Sequence, residues 1–248
     1  SNSRKPNRKA SRSDSFSIAG TIGVILQIMV LFLVIPLTNV IGDIGNSYFY
    51  IAYEIYIILF LISAYGIPSA VSKLISSRMR KGQYKNADRV FKGALLFALI
   101  FGGVGGGFLF LFADVLTGKI FLEPLSSFTL QCLAPALLLT SLAGVFRGYF
   151  QGMGTMIPTS VSKMIENFIM IVACLIGAKT LFDYGSKVGA LMQNQNYAAS
   201  YGAAGSALGI SFSLLITLLL LVLVWVPFRS GVKRQLAKDS TRSVESYQ

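Results

Sequence analysis

The chain of 248 residues contains no histidine. A Ser-His-Asp or Cys-His nucleophile pair is therefore excluded, as are the metal centres usual in membrane hydrolases. Only two cysteines are present, Cys132 and Cys174, and each lies inside an apolar run. A disulfide framework or a zinc site needs more ligands at closer spacing. We therefore expect two buried thiols, no metal, no cofactor and no enzymatic activity.

Charged residues are also scarce. They make up 13% of the chain, against 54% hydrophobic residues, whereas a soluble domain carries about 25% charged residues. The apolar residues lie in long runs, which predicts a polytopic membrane protein. Acidic residues are the scarcer sign, 10 against 22 basic, for a net charge of +12. Because the basic residues lie between the apolar runs, membrane orientation explains them better than nucleic-acid binding does.

Six apolar runs are close to the ~20 residues that a helix needs to cross a bilayer. They lie at Phe16–Val40, Tyr48–Ser76, Val90–Ala113, Leu125–Phe146, Pro158–Phe182 and Ala203–Pro227. The first run is too long to be a removable signal peptide. We therefore expect an all-α, six-helix membrane domain over residues 16–227. A disordered basic tail would precede it over 1–15, and a basic linker or tail would follow over 228–248.

The basic residues divide the loops into two sets. Nineteen of the 22 lie in the N-terminal tail, in or beside the second and fourth loops, and in the C-terminal segment. The opposite loops hold only Lys119, Lys179 and Lys187. By the positive-inside rule, both termini are cytoplasmic and the number of spans is even. We expect a multi-pass protein of the cytoplasmic membrane.

Two nine-residue stretches share six identical positions, IPSAVSKLI at Ile67–Ile75 and IPTSVSKMI at Ile157–Ile165. In the predicted topology both lie at the cytoplasmic face, but the first closes helix two and the second opens helix five. A parallel tandem repeat would keep the chain direction, and an inverted repeat would place the copies on opposite faces. We interpret them as a local similarity that serves a helix end at one interface.

Two carboxylates lie within the apolar runs. An ionised side chain near the bilayer centre costs at least ~2.5 kcal/mol, so each needs a partner, a cavity or a proton. Glu166 follows Lys163 by three residues, which allows an ion pair on one helix face; the alternative is a cavity role. Glu54 has no basic residue nearby in the sequence. It is either a cavity residue linked to a proton or cation, or an interfacial residue hydrogen-bonded to Tyr50 or Tyr53.

The third predicted helix contains the stretch GGVGGG, Gly102–Gly107. Small residues four apart, Gly102 with Gly106 and Gly103 with Gly107, allow two helices to approach closely. The stretch is not a phosphate loop, because no strand precedes it and no Lys-Ser/Thr follows it. We predict close helix packing or a flexible point here.

The connection FRGYFQGMGTMIPTSVSKMIEN, residues 146–167, is unusually specific for a loop between spans. Pro158 suits the first turn of a helix, where its missing N–H is not needed. Arg147 can meet a lipid phosphate or a facing carbonyl. The residues alone predict a structured cytoplasmic turn.

The segment FRGYFQGMGTMIPTSVSKMIE closely resembles a motif of the stage V sporulation protein B group of polysaccharide-biosynthesis transporters. The segment YEIYIILFLISAYGIPSAVSKLISSRMRKGQYKNADRVFKGAL, from Tyr53 to Leu95, is similar to the second helix, basic loop and third-helix start of the same group. This group belongs to the MOP (multidrug/oligosaccharidyl-lipid/polysaccharide) exporter superfamily, with the lipid II flippases and the MATE-type drug exporters. The resemblance spans residues 16–227.

The resemblance implies two six-helix lobes around a central cavity that opens alternately to each side, with this chain as the N-terminal lobe. It implies transport of a lipid-linked oligosaccharide or cell-wall precursor, with the bilayer and a C-terminal lobe as partners. Within such a lobe, we assign cytoplasmic gate or linker roles to Lys73, Arg147, Gln151 and Lys163. Our cavity or ion-coupling candidates are Glu54, Tyr50, Tyr56 and Glu166.

Helix one departs from the pattern of the members that resemble lipid II flippases. Those members carry basic residues before and after an Ile-Pro pair, where this chain has Gln27, Val34 and Asn39. The departure favours a differently charged lipid-linked glycan, or a cation-like substrate attracted to Glu54. Two alternatives remain. One is a MATE-like exporter of drugs or metabolites coupled to H⁺ or Na⁺, with aromatic rings around a cation; the other is a non-transporting scaffold subunit.

Overall fold

The apolar runs form helices in the computed structural model of the chain, which describes residues 21, 23–25 and 27–237. A helix suits a membrane because it satisfies the backbone N–H and C=O groups within one segment. The α-helices are α1 Val34–Leu61, α2 Ile67–Arg80, α3 Tyr84–Leu111, α4 Ser127–Gly152, α5 Ile157–Met192 and α6 Asn196–Leu236. A π-helical turn, Ile62–Gly66, joins α1 to α2. The described residues contain no strand, and the all-α prediction is confirmed.

Five helices among the described residues are long and apolar enough to cross a membrane, and the first runs from Gly23 to Arg80 over 58 residues. At about 1.5 Å per residue this helix would measure ~87 Å, nearly three times the hydrocarbon core of a bilayer. It is interrupted at Gly42, whose φ of 73° and ψ of 177° lie outside the helical region. This conformation is available almost only to glycine.

The chain reverses its direction at Gly42. Before the break, the side chain of Gln27 lies beside Asn167, in the first third of α5. After the break, Ile75 packs against Gly152, the last residue of α4. Since α4 ends where α5 begins, residues 23–41 and 43–80 form two antiparallel crossings. The first 58-residue helix therefore accounts for the first two of the six predicted spans.

The last two helices extend well beyond their predicted ends. The predicted loop over 183–202 is wrong, because α5 continues to Met192 and α6 begins at Asn196. The predicted end at Pro227 is wrong as well, since α6 passes through it. The backbones of Gly177 and Gly205 are in direct contact. Such close approach at small residues stabilises helix pairs.

The predicted basic loop after the second span is mostly helical. Helix α2 continues past Ser76 to Arg80, and α3 begins at Tyr84 after a three-residue turn. We call the end of the bundle with this turn and with the turn over 153–156 the basic end. The predicted tail over 1–15 lies outside the described residues. Residues 228–236 of the predicted linker belong to α6.

Helix α4 is the core of the bundle. Its most apolar window is 67% buried, against 18–39% in the other spanning helices. Three of its glycines, Gly144, Gly148 and Gly152, face α2, where a Cβ would come within 2.8 Å of α2 or of the π-helical turn. This spacing of four residues brings the α2 and α4 backbones together. It positions one wall of the cavity described below.

The glycine stretch of α3 packs on one side only. A Cβ at Gly102 would lie 2.7 Å from the Cα of Leu138, and one at Gly106 would lie 2.8 Å from the carbonyl oxygen of Ala134. A Cβ at Gly103 or Gly107 would meet no described atom within 4 Å. Gly102 and Gly106 therefore lie against α4, whereas Gly103 and Gly107 lie on a face with no described neighbour.

This difference gives a matched pair of substitutions. We expect Gly102→Ala to destabilise the protein by about 1–3 kcal/mol, because the new methyl group would force α3 away from the α4 backbone. Gly103→Ala should be neutral or stabilising by up to about 1 kcal/mol, since alanine favours the helix. Far-UV circular dichroism during denaturation in detergent would measure both. Equal losses in the two variants would contradict the packing described here.

Candidate functional site

A cavity of about 420 Å³ opens near the basic end, between α2, α4 and α5. We call it the basic cavity, because lysine and arginine side chains line it. Its volume lies within the usual range of ligand pockets. The side chains of all four predicted gate or linker residues line it, together with further hydroxyl-bearing residues and a proline. The lining residues are Ala64, Tyr65, Pro68, Ser69, Ser72, Lys73, Arg147, Gln151, Thr159 and Lys163. Four residues from three separate helices are thus brought to one site.

The two similar nine-residue stretches meet at this cavity. They run in opposite directions, the first in α2 and the second in the first turns of α5. Equivalent positions line the same space: Ser69 corresponds to Thr159, and Lys73 corresponds to Lys163. The structure thus places both stretches at one interface, as their interpretation predicted. It adds that each contributes a hydroxyl group and an ammonium group to one cavity.

A buried ion-pair network forms the floor of the cavity. Arg147 Nη2 donates to Glu166 Oε2 at 2.5 Å, and Lys163 Nζ lies 3.0 Å from Glu166 Oε1. The side chains of Arg147 and Glu166 are 8% and 2% exposed, whereas that of Lys163 is 37% exposed. The predicted pairing of Glu166 with Lys163 is confirmed, and Arg147 is a second partner from another helix.

Further hydrogen bonds hold Arg147 in place. Its Nε donates to Ser162 Oγ at 3.2 Å, and its carbonyl oxygen accepts from Thr159 Oγ1 at 3.4 Å. These contacts depend on the tight turn between α4 and α5, where Gly154 has a φ of +84° and Pro158 lies in the first turn of α5. Glycine adopts this φ without strain, and proline fits a first helical turn. The local sequence therefore closes the helical hairpin around the arginine.

The charges around the cavity do not cancel. Lys73, Arg147 and Lys163 carry three positive charges, and Glu166 beneath them carries one negative charge. Hydrogen bonds in which one partner is charged are about twice as strong as neutral ones. The cavity therefore suits an anionic group, with the serine, threonine and glutamine side chains as additional hydrogen-bonding groups.

The predicted Glu54 group is divided between two faces of its helix. Glu54 and Tyr50 are both exposed, and their spacing of four residues places them on the same helix face. Tyr56 is 1% exposed and belongs to the core with Ala52 and Leu133. The structure therefore keeps Glu54 and Tyr50 together and separates Tyr56 from them. None of these three residues lines the basic cavity.

The neutral residue at one position of the helix-one pattern contacts α5. Gln27 Oε1 accepts a hydrogen bond of 3.5 Å from Asn167. Asn39 and Val34 are exposed elsewhere on α1. This chain therefore has an amide at position 27, where the pattern has a basic residue.

Several residues of the site were not predicted from the sequence. Ser162 binds Arg147, and Tyr65, Ser69 and Ser72 line the cavity. The signal for the serines was present, because Ser69 and Ser72 occupy the same positions in the first nine-residue stretch as Thr159 and Ser162 in the second. Tyr65 had no such signal, because it lies in the π-helical turn before that stretch.

The two cysteines lie apart from the cavity. Cys132 and Cys174 are both buried and free, which confirms the expected buried thiols. Among the described residues, no group of three or more Cys, Asp or Glu side chains could hold a metal ion.

Comparison with known proteins gives one family match and several curated relatives. The family described as "Polysaccharide biosynthesis protein" matches residues 14–240. Lipid II flippase MurJ of Bacillus subtilis (strain 168) is 29% identical over 164 residues, 62% of this chain and 30% of that protein. Uncharacterized membrane protein YabM of the same organism is 31% identical over 190 residues, 75% of this chain and 33% of that protein. Stage V sporulation protein B, again from this organism, is 21% identical over 151 residues, 61% of this chain and 29% of that protein.

These matches confirm the family resemblance inferred from the two motifs. The chain spans about a third of the length of the relatives that it matches. No solved structure matches the chain.

The buried network gives a test of stability. We expect Arg147→Gln to destabilise the protein by about 3–5 kcal/mol, because it removes one partner of a buried ion pair. The control is Asp88→Asn, which breaks a more exposed pair between Asp88 and Lys92 on α3 and should cost at most about 1 kcal/mol. Denaturation in detergent would measure both variants. A loss in Arg147→Gln no larger than in the control would show that the network does not hold α4 against α5.

Proposed function

Because this chain belongs to the polysaccharide biosynthesis protein family, we propose that it forms one lobe of a flippase. The substrate would be a lipid-linked oligosaccharide or a peptidoglycan or polysaccharide precursor, moved across the cytoplasmic membrane by alternating access. The name of one relative, lipid II flippase, supports this substrate class. The chain covers only 30% of that relative, so the remaining cavity wall would come from a second lobe.

The observation that carries this proposal is the basic cavity. A lipid-linked sugar precursor joins an anionic phosphate group to a glycan and an apolar tail. The three cations Lys73, Arg147 and Lys163 would bind the phosphate, and the neighbouring hydroxyl and amide groups would bind sugar hydroxyls. Arg147, Lys163, Lys73 and Gln151 then act at the cytoplasmic gate, because the basic end faces the cytoplasm under the positive-inside rule.

The exposed face of the second span would line the central cavity against the second lobe. Glu54 and Tyr50 are exposed on it, and Tyr65 lies on the same face three turns further on. A carboxylate at this depth is costly in contact with lipid. Facing a hydrated cavity removes this cost, and it gives Glu54 the cavity role that its sequence suggests.

The same cavity argues against the main alternative within transport. An exporter of organic cations needs an acidic or aromatic binding site, whereas the basic cavity has three cations and one carboxylate. The exposed pair of Glu54 and Tyr50 is the feature that favours cation export. A scaffold subunit needs no charged cavity at all. Anionic substrates therefore fit the described residues best.

Complementation tests the proposed flippase. We would express the chain, alone and extended by any sequence that follows it in its gene, in bacterial cells depleted of their own lipid II flippase. We expect the extended form to restore growth, and the double variant Lys73→Gln, Lys163→Gln to lose this ability, because the phosphate loses two of its three cationic partners. Lys92→Gln, which removes an exposed lysine outside the cavity, is the control and should still rescue.

Expression and membrane insertion of each form would be checked by immunoblotting of membrane fractions. Failure of an inserted extended form would exclude lipid II as a substrate, and the same strains would then be tested with other lipid-linked glycans. Equal rescue by the double variant and the control would refute a role of the cavity in transport.

A further inference from the structure

We infer that Glu166 is a built-in competitor of the substrate. In the unliganded lobe its carboxylate forms an ion pair with Lys163. An anionic group that enters the cavity replaces Glu166 as the partner of Lys163. Arg147 stays with Glu166 throughout. The inference rests on the proposed function, because it assumes an anionic ligand, and it assigns a separate task to each member of the network.

The first support is the difference in exposure within the network. The Arg147 side chain is 8% exposed and is held by both Ser162 and Glu166. Lys163 is 37% exposed, and Glu166 is the one acceptor recorded for its ammonium group. A lysine side chain has four rotatable bonds and carries three donors on its ammonium group. Lys163 can therefore turn toward the cavity at little cost, whereas Arg147 cannot move without giving up two partners.

The second support is the charge balance before and after this exchange. Glu166 is 2% exposed, so it must keep a cationic partner at all times. If Lys163 turns to the ligand, Arg147 still neutralises Glu166 at 2.5 Å. With only one cation beneath the cavity, the exchange would leave a buried carboxylate unpaired. Because both Arg147 and Lys163 pair with Glu166, Lys163 can leave the carboxylate and bind a ligand.

The third support is the position of the exchangeable lysine. Lys163 lines the cavity, as does Lys73 at the equivalent position of the other nine-residue stretch. Lys73 forms no ion pair with a described residue, whereas Lys163 is paired with Glu166. The two equivalent lysines therefore differ in whether a carboxylate of the protein binds them. The ligand would bind the ammonium group of Lys73 directly, and it would bind that of Lys163 only by displacing Glu166.

Competition of this kind has a consequence for transport. A substrate that binds one open state too tightly stops the cycle, because a ligand shifts a conformational equilibrium by its differential affinity. Glu166 would lower the affinity of the cavity for the substrate by offering Lys163 an alternative partner. It would also pair with Lys163 again after the substrate has gone.

A purely structural Glu166 makes a different prediction for binding. If the carboxylate only joins α4 to α5, the loss of its negative charge should change the affinity for an anion equally with and without Lys163. If the carboxylate competes for Lys163, its loss should strengthen binding only while Lys163 is present, even though the protein becomes less stable.

The test uses inorganic pyrophosphate as the probe. The protein, including any sequence that follows the chain in its gene, would be purified in lipid nanodiscs and titrated by isothermal calorimetry. We expect Glu166→Gln to bind pyrophosphate about tenfold more tightly than the unchanged protein, a difference of ~1.4 kcal/mol. Asp88→Asn releases a lysine from a carboxylate in the same way, but outside the cavity, and should leave the affinity unchanged.

A second set of variants shows whether the effect passes through Lys163. In a Lys163→Met background, where Arg147 and Glu166 stay paired, adding Glu166→Gln should no longer increase the affinity. If Glu166→Gln fails to fold, Glu166→Asp serves instead. Its shorter carboxylate keeps the charge but lies further from Lys163, and it should change the affinity in the same direction by a smaller factor.

Each outcome has one meaning. Tighter binding in the Glu166 variants that disappears without Lys163 supports the competitor. Unchanged or weaker binding in folded Glu166 variants, or tighter binding that persists without Lys163, overturns the competitor and leaves the flippase proposal intact, provided that the unchanged protein binds. If neither the unchanged protein nor any variant binds pyrophosphate, the anion site itself is refuted, and the competitor is refuted with it.

Discussion

The ion pair between Arg147 and Glu166 connects α4 and α5 at a depth where neither charge could remain alone. A buried pair of this kind contributes little net stability, but the loss of one partner is costly. It therefore acts mainly as a constraint: α4 and α5 can pack in only those registers that bring the two groups together. The turn between the helices, the position of Ser162 and the floor of the cavity all follow from this register.

The second constraint is the close contact of α2 with α4. Gly144, Gly148 and Gly152 present a flat face, and Pro68 rests on the first two of them. Pro68 has no N–H to donate, and the π-helical turn before it accommodates this missing bond. Tyr65, which belongs to this turn, lines the cavity. A bundle needs both constraints, one electrostatic and one steric, to place α2 and α5 on opposite walls of the same space.

Much of this arrangement could be predicted from residue types. Runs of apolar residues near the length of a bilayer gave six crossings, and charge in apolar surroundings identified Glu166 and its pairing with Lys163. Apolar length alone could not show that α5 continues to Met192 and that α6 begins at Asn196, because the polar residues between the two apolar runs carry no signal of where a helix ends. Periodicity could not distinguish Gly102, which meets α4, from Gly103, which meets nothing described, because this difference depends on tertiary packing. The partnership of Arg147 with Glu166 required the three-dimensional register of the hairpin.

The two ends of the exposed face on the second span differ in charge. Tyr65 lies at the basic cavity, and Glu54 lies on the same helix face about 16 Å away at 1.5 Å per residue. An anionic group bound near Lys73 is attracted there, and a carboxylate further along the face would repel it. For the proposed anionic substrate, movement along this face would be uphill in electrostatic energy unless a proton or cation neutralises Glu54. An anion-binding cavity and a proton- or cation-linked Glu54 are therefore compatible. A proton or cation on Glu54 would reduce the electrostatic repulsion that an anion leaving the cavity meets along this face.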